Sequence, residues 1–192
     1  MTREIFTQLL VATLTRPREA AETVLANRPA PDVVWTGLAL VTVLGALASV
    51  LTQLGGAVVP LPEGAVVVGP LAYAAILGLT LLLTAWALNL AGRIFDGEGR
   101  FEEALTLIVW LETVALTVRV VADLLLFVAP PISMAVGLVG LFALFWALIN
   151  FIRVLHRFAG IGRALLTLLV AMLGLGIALT IVMAFLGVGT GV

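Results

Sequence analysis

The chain has 192 residues, 62% of them hydrophobic and 11% charged, with a net charge of −1 and neither lysine nor cysteine. A mean hydropathy of +1.25 excludes a soluble globular domain, because so few polar residues could not cover a core of this size. The charge balance excludes nucleic acid as a partner, and the lack of cysteine excludes disulfides, thiolate metal sites and cysteine nucleophiles.

Residues 1–32 read as a cytoplasmic, interfacial amphipathic segment. Ile5, Phe6, Leu9, Leu10 and Leu14 recur at helical spacing, with Arg3, Glu4, Thr7 and Gln8 mostly on another face. Pro17 sits where a first helical turn accepts proline, and Ala20, Ala21, Val24 and Leu25 form a second short stripe. Two short helices on the leaflet surface follow; the alternative is that they pack under the bundle. The segment is too long for the basic region of a signal peptide.

Residues 33–192 read as a transmembrane domain. Apolar runs at about 33–54, 66–91, 104–129, 132–152 and 164–186 each match a hydrocarbon core about 30 Å thick. In such a core a helix satisfies its own backbone groups. No alternation of apolar and polar residues persists long enough for barrel strands. Pro130-Pro131, followed by a fresh apolar run, predicts a tight helical hairpin. The fold class is therefore all-α and integral to the membrane: a bundle of five transmembrane helices with short N-terminal interfacial helices.

Nine of the ten arginines alternate between sides. Arg3, Arg16, Arg18 and Arg28 precede the first span, Arg93 and Arg100 join the second to the third, and Arg153, Arg157 and Arg163 join the fourth to the fifth. The other connections and the tail carry none. By the positive-inside rule the N-terminus is cytoplasmic and the C-terminus lies on the opposite, periplasmic side of an inner membrane.

The third span carries Glu112, Arg119 and Asp123 at intervals that place all three on one face. Each ionisable group in hydrocarbon costs about 2.5–3.5 kcal/mol on insertion scales, so the face should look into the bundle or toward water. Arg119 and Asp123 can pair at i,i+4. Glu112 lies roughly 10 Å from Arg119 along the axis and needs another partner. Gln53, Asn89 and Asn150 on other spans are candidates. Such a face is either a polar pathway for protons or solutes, or a structural ion pair fixing helix register.

Asp96, Glu98, Glu102 and Glu103 crowd the second connection, but their spacing matches no calcium loop. The lone His156, between Arg153 and Arg157, reads with them and Arg163 as a cytoplasmic basic anchor for anionic headgroups. One histidine without cysteine cannot build a zinc site, so no metal or other cofactor is expected. Ser49 and Ser133 have no nucleophile-elbow setting, and no catalytic residue is assigned. Trp35, Trp110, Trp146 and Tyr73 suit an interfacial belt, whereas Trp86 reads as packed.

Three stretches carry a resemblance. Arg16-Pro17-Arg18-Glu19-Ala20 leads into the first span. Gly92-Arg93-Ile94-Phe95-Asp96-Gly97-Glu98-Gly99 is followed by Phe101-Glu102-Glu103-Ala104-Leu105. Trp146 precedes Leu155-His156-Arg157-Phe158-Ala159-Gly160-Ile161-Gly162-Arg163-Ala164-Leu165. In this order, over nearly the whole chain, they resemble the bacterial branch of the Yip family, the Ypt/Rab-interacting five-span membrane proteins. The resemblance implies a five-helix bundle with a cytoplasmic N-terminus and no enzymatic activity. Its eukaryotic members act in vesicle traffic and bind prenylated small GTPases or sister proteins. The expected function is thus a non-catalytic scaffold or assembly partner in the bilayer, with a membrane-protein partner or a homo-oligomer. The alternative is a small transporter or channel using the polar face of the third span.

Overall fold

The structure, a computed structural model, describes residues 3–27, 29–52, 57–61 and 64–185. Two short helices, α1 (Arg3–Thr15) and α2 (Pro17–Ala26), precede α3 (Pro31–Thr52). A hairpin of β1 (Ala57–Leu61) and β2 (Gly64–Val68) follows, then α4 (Pro70–Ile94), α5 (Phe101–Leu126), α6 (Pro130–Leu155) and α7 (Ile161–Phe185). The five long helices α3 to α7 are apolar enough to cross a membrane, as the sequence leads one to expect.

Proline sets several of the starts. Pro17, Pro70 and Pro130 occupy the first turn of α2, α4 and α6, where the missing N–H costs nothing and φ is already helical. The α5–α6 turn closes with Ala129 N–H on Leu125 O at 2.7 Å, and Ser133 Oγ donates to Ala122 O across it at 2.8 Å. This is the tight hairpin expected at the double proline, and α5 and α6 form the most extensively packed pair of helices. Gly140 makes that approach possible: a Cβ there would lie 2.4 Å from Val118 Cγ1. Small residues that admit a neighbouring helix are the usual device where lipid supplies no hydrophobic drive between helices. At the other end of α5, Glu103 Oε2 accepts from Arg100 N–H at 3.1 Å, so the carboxylate caps the first turn.

One boundary differs from expectation. The second apolar run, read from residue 66, opens as strand: β2 pairs antiparallel with β1, with Val66 opposite Val59 and Val68 opposite Ala57. The helix begins only at Pro70. Val66, Val67 and Val68 are β-branched and favour a pleated surface. Pro70 also disfavours helical backbone at Gly69, which is extended at φ −67° and ψ 162°.

The helices bury Leu88, Leu107, Val114 and Ile152 between them. Outward they present large apolar side chains such as Leu71, Leu138, Phe142 and Met172. A continuous apolar exterior of this kind suits lipid and would aggregate in water. The N-terminal helices are docked on the bundle, not free of it. Pro17, Ala20, Ala21 and Val24 of α2 are buried, and α2 packs on α6 and α5. Trp110 of α5 holds α1: its Nε1 donates to Thr13 Oγ1 at 2.9 Å, and Phe6 meets its ring edge-on at 5.5 Å. Thr13 is fully buried and donates onward to Leu9 O at 2.8 Å.

Candidate functional site

Glu112 is the twelfth of 26 residues in α5, near the middle of its length. Arg119 and Asp123 lie two and three turns further on, and Ser49 of α3 meets them there. Arg119 Nε is 3.7 Å from Asp123 Oδ2, and Arg119 Nη2 donates to Ser49 Oγ at 3.4 Å. The two charged side chains retain 38% and 30% of their exposure, so the pair is sheltered but not sealed. The guanidinium thus joins α3 to α5 near the end of the bundle that carries the β-hairpin.

Glu112 is half-buried and feels the charge of Arg119. Among the described residues it takes part in no ion pair or side-chain hydrogen bond. Neither Asn89 nor Asn150 hydrogen-bonds to it. Asn150 Nδ2 donates within its own helix, to Trp146 O at 2.9 Å. Asn89 is buried in α4 with its Oδ1 unpartnered among the described residues, as is Thr167 Oγ1 in α7. Gln53 lies outside the described residues.

Arg119→Ala is expected to destabilise the bundle by about 2 kcal/mol, between the values for exposed pairs and for sealed ones. Thermal unfolding in detergent should register a fall in Tm of roughly 5 °C for a chain of this size. Arg119→Lys should recover part of it, because an ammonium still reaches Asp123 but cannot bridge to Ser49 in the same planar geometry. An unchanged Tm in Arg119→Ala would remove any structural role from the pair.

At the arginine-bearing end of the bundle one expectation is corrected. His156, grouped with Arg153, Arg157 and Arg163 as a headgroup anchor, is only 1% exposed. It caps the C-terminus of α6 and turns inward beneath α4. Its Nε2 lies 3.1 Å from Leu88 O, and Gly99 N–H donates to its Nδ1 at 3.3 Å. Phe158 stacks on the ring at 5.3 Å. Three glycines make the space: a Cβ at Gly92, Gly97 or Gly99 would come within 2.1, 2.5 or 2.7 Å of the imidazole. Burial holds the His156 pKa below its ordinary value; the Leu88 hydrogen bond and Glu103 act the other way, and Arg93 adds to the lowering. The physical reason for the correction is burial: the ring fills a slot lined by backbone and glycines, not the surface its sequence neighbours occupy.

The flanking arginines divide their work. Arg153 donates to Phe158 O at 3.3 Å and Ala159 O at 2.7 Å, fastening the turn into α7. Arg157, at φ 55°, pairs with Glu98 across to the α4–α5 connection, and this carboxylate raises its already high pKa. Arg163 remains exposed. The acidic connection does not converge on a cation position: Glu98 is paired with Arg157, Glu102 with Arg100, and Glu103 caps α5. Among the described residues no three potential ligands gather.

Sequence reasoning missed the His156 slot and the Trp110–Thr13 lock. The signal for the slot was present, since Gly92, Gly97 and Gly99 bracket one connection and the chain has a single histidine. Trp86, read as packed, is 56% exposed on the apolar exterior.

Comparison with known families matches the chain to the Yip1 domain over residues 11–183. That range takes in all of α2 to α6, most of α7 and the C-terminal end of α1 from residue 11. No curated protein and no solved structure matches the chain.

Proposed function

We propose that this chain, which belongs to the Yip1 domain family and is a multi-pass membrane protein with five spanning helices, acts as a non-catalytic scaffold of the bacterial inner membrane. It would assemble with another membrane protein or with copies of itself through its helices and cytoplasmic surface. Residues 1–32 form the cytoplasmic interfacial segment in this reading, and residues 33–192 the transmembrane domain. The arginine asymmetry supports a cytoplasmic N-terminus and a periplasmic C-terminus.

One observation carries the scaffold reading. Three sets of polar contacts in the bundle join one element to another. Trp110 ties α1 to α5, Arg119 ties α3 to α5, and His156 ties α6 to α4 and its connection. Polar groups used this way fix a single arrangement of helices, which is what a platform for assembly requires.

Purification of the tagged protein from its own membranes in mild detergent, followed by mass spectrometry of the intact complex, tests it. A stoichiometric partner or a defined homo-oligomer that survives washing is the expected result. Recovery only as a monomer would overturn the scaffold reading.

A second reading, a small transporter or channel, is favoured by Glu112 alone. A carboxyl at mid-span with no ion pair among the described residues is a functional group by default. Under the scaffold reading Glu112→Gln at matched expression leaves complex recovery within about twofold of wild type, since the amide keeps the shape and removes only the charge. Reconstituted proteoliposomes that take up protons or solute, with uptake abolished by Glu112→Gln, would transfer the assignment to transport.

A further inference from the structure

We propose that His156 is an acid-sensitive latch: neutral, it holds the α4–α5 connection (residues 95–100) against the end of α6, and protonated, it lets that connection go. The proposal stands apart from the scaffold reading, and its test does not depend on a partner.

The geometry leaves the ring one state. Leu88 O can only accept, so Nε2 carries the proton and donates to it at 3.1 Å. Gly99 N–H can only donate, so Nδ1 must be bare to accept it at 3.3 Å. Only the neutral tautomer with hydrogen on Nε2 satisfies both. A second proton would sit on Nδ1 and point at another N–H, turning a hydrogen bond into a repulsion between two donors.

The ring cannot turn away from that repulsion. Gly92, Gly97 and Gly99 already stand too close to carry a Cβ, and Phe158 covers a face. What can move is the connection itself. It is held to the end of α6 by Gly99 on Nδ1, by Glu98 N–H on His156 O at 3.5 Å, and by the exposed Glu98–Arg157 pair. Loss of the first bond leaves a long backbone contact and a surface ion pair, and surface pairs contribute little.

The surrounding charges set the direction. Arg93 of α4 opposes a cation on the ring and Glu103 of α5 favours one. Glu98 of the connection is taken by Arg157, and Arg153 of α6 is turned to Phe158 O and Ala159 O. From α2 the buried residues are Pro17, Ala20, Ala21 and Val24, while Arg18 and Glu22 pair at the surface. Arg163 of α7 is exposed. Burial is the largest influence and opposes a charge on the ring. Because the folded pKa lies below the unfolded one, the latch contributes fully above the ordinary histidine value. That contribution is lost as pH falls from there through the lowered value.

His156 is the only histidine, so the 15N spectrum of histidine-labelled protein in lipid nanodiscs reports this ring alone. The same chain has no cysteine, so nitroxides on Arg100→Cys and Gly160→Cys report the distance between the connection and the start of α7. At about pH 7.5, above the histidine range, Nε2 should be protonated, Nδ1 bare and the distance distribution narrow. On acidification the ring should titrate below the ordinary value of about 6.5, and the distance should lengthen or broaden with the same midpoint. In His156→Gln, whose amide donates but does not titrate, the distance should not respond to pH. If that variant fails to fold, the shared midpoint in the wild-type ring decides. A proton on Nδ1 at neutral pH, ring titration without a distance change, or a pH response surviving in His156→Gln would each overturn the latch.

Discussion

Gly92→Ala lowers the Tm of the purified protein by about 10 °C, and adding His156→Ala restores part of the loss. The new methyl would sit 2.1 Å from two ring atoms of His156, well inside van der Waals contact. A flexible side chain would step aside. This ring is held by Leu88 O, by Gly99 N–H and by the Phe158 stack, so the backbone must move. Overpacking of this kind costs typically 1–3 kcal/mol, and about 3 kcal/mol here, since the ring has no second rotamer to occupy. That corresponds to roughly 6–12 °C in a chain of this length. His156→Ala alone also destabilises, because Leu88 O and Gly99 N–H lose their partner and a cavity opens. In the double variant the methyl occupies space the ring has left, so the two losses fall short of additivity by about 1–3 kcal/mol. Thermal unfolding of the four proteins in one detergent measures this cycle. Strict additivity would mean that the glycine and the histidine do not touch in solution.

Trp110→Ala frees α1 from the bundle while leaving α5 and α6 together. A tryptophan truncated to alanine costs about 3 kcal/mol. Here the loss falls on one contact set, the Phe6 edge and the Thr13 hydroxyl. Hydrogen exchange followed by peptide should show α1 amides exchanging at least about tenfold faster, which is 1.4 kcal/mol of local opening. Protection across the α5–α6 hairpin should be kept. Trp110→Phe retains the ring contact and drops only the hydrogen bond, a change of about 1 kcal/mol. Thr13→Val should match it, and the pair of substitutions together should cost no more than either. Unaltered exchange in α1 with Trp110→Ala would show that its packing on α2 and α6 carries the N-terminal docking.

The five spans were legible because hydrocarbon thickness is a length that sequence counts directly, and because proline marks helix starts without help from tertiary contacts. The common face of Glu112, Arg119 and Asp123 followed from helical periodicity alone. That Arg119 would reach Ser49, 70 residues away, did not, since nothing local specifies which helix stands opposite. The hairpin at 57–68 was hidden because a short apolar run reads alike as a buried strand and as the first turns of a span. Only the valine cluster ahead of Pro70 could have separated them. His156 was misread for a related reason. Between Arg153 and Arg157 its neighbours in sequence are basic and solvated, while its neighbours in space are glycines of a connection more than fifty residues upstream. Burial is decided by that second set.

The His156 contact to Leu88 closes a loop of 68 residues, and that loop contains the whole α5–α6 hairpin. During synthesis Leu88 emerges long before its partner, and the hairpin must be threaded through the bilayer and returned before the ring can find its carbonyl. Thr13 waits in the same way for Trp110, 97 residues later. The contacts that tie the arginine-bearing end together are therefore among the last to form. A chain whose third or fourth span inserted the wrong way round would leave Leu88 and His156 on opposite sides of the membrane. An imidazole with empty glycines above it would then mark a misassembled molecule for as long as it persisted.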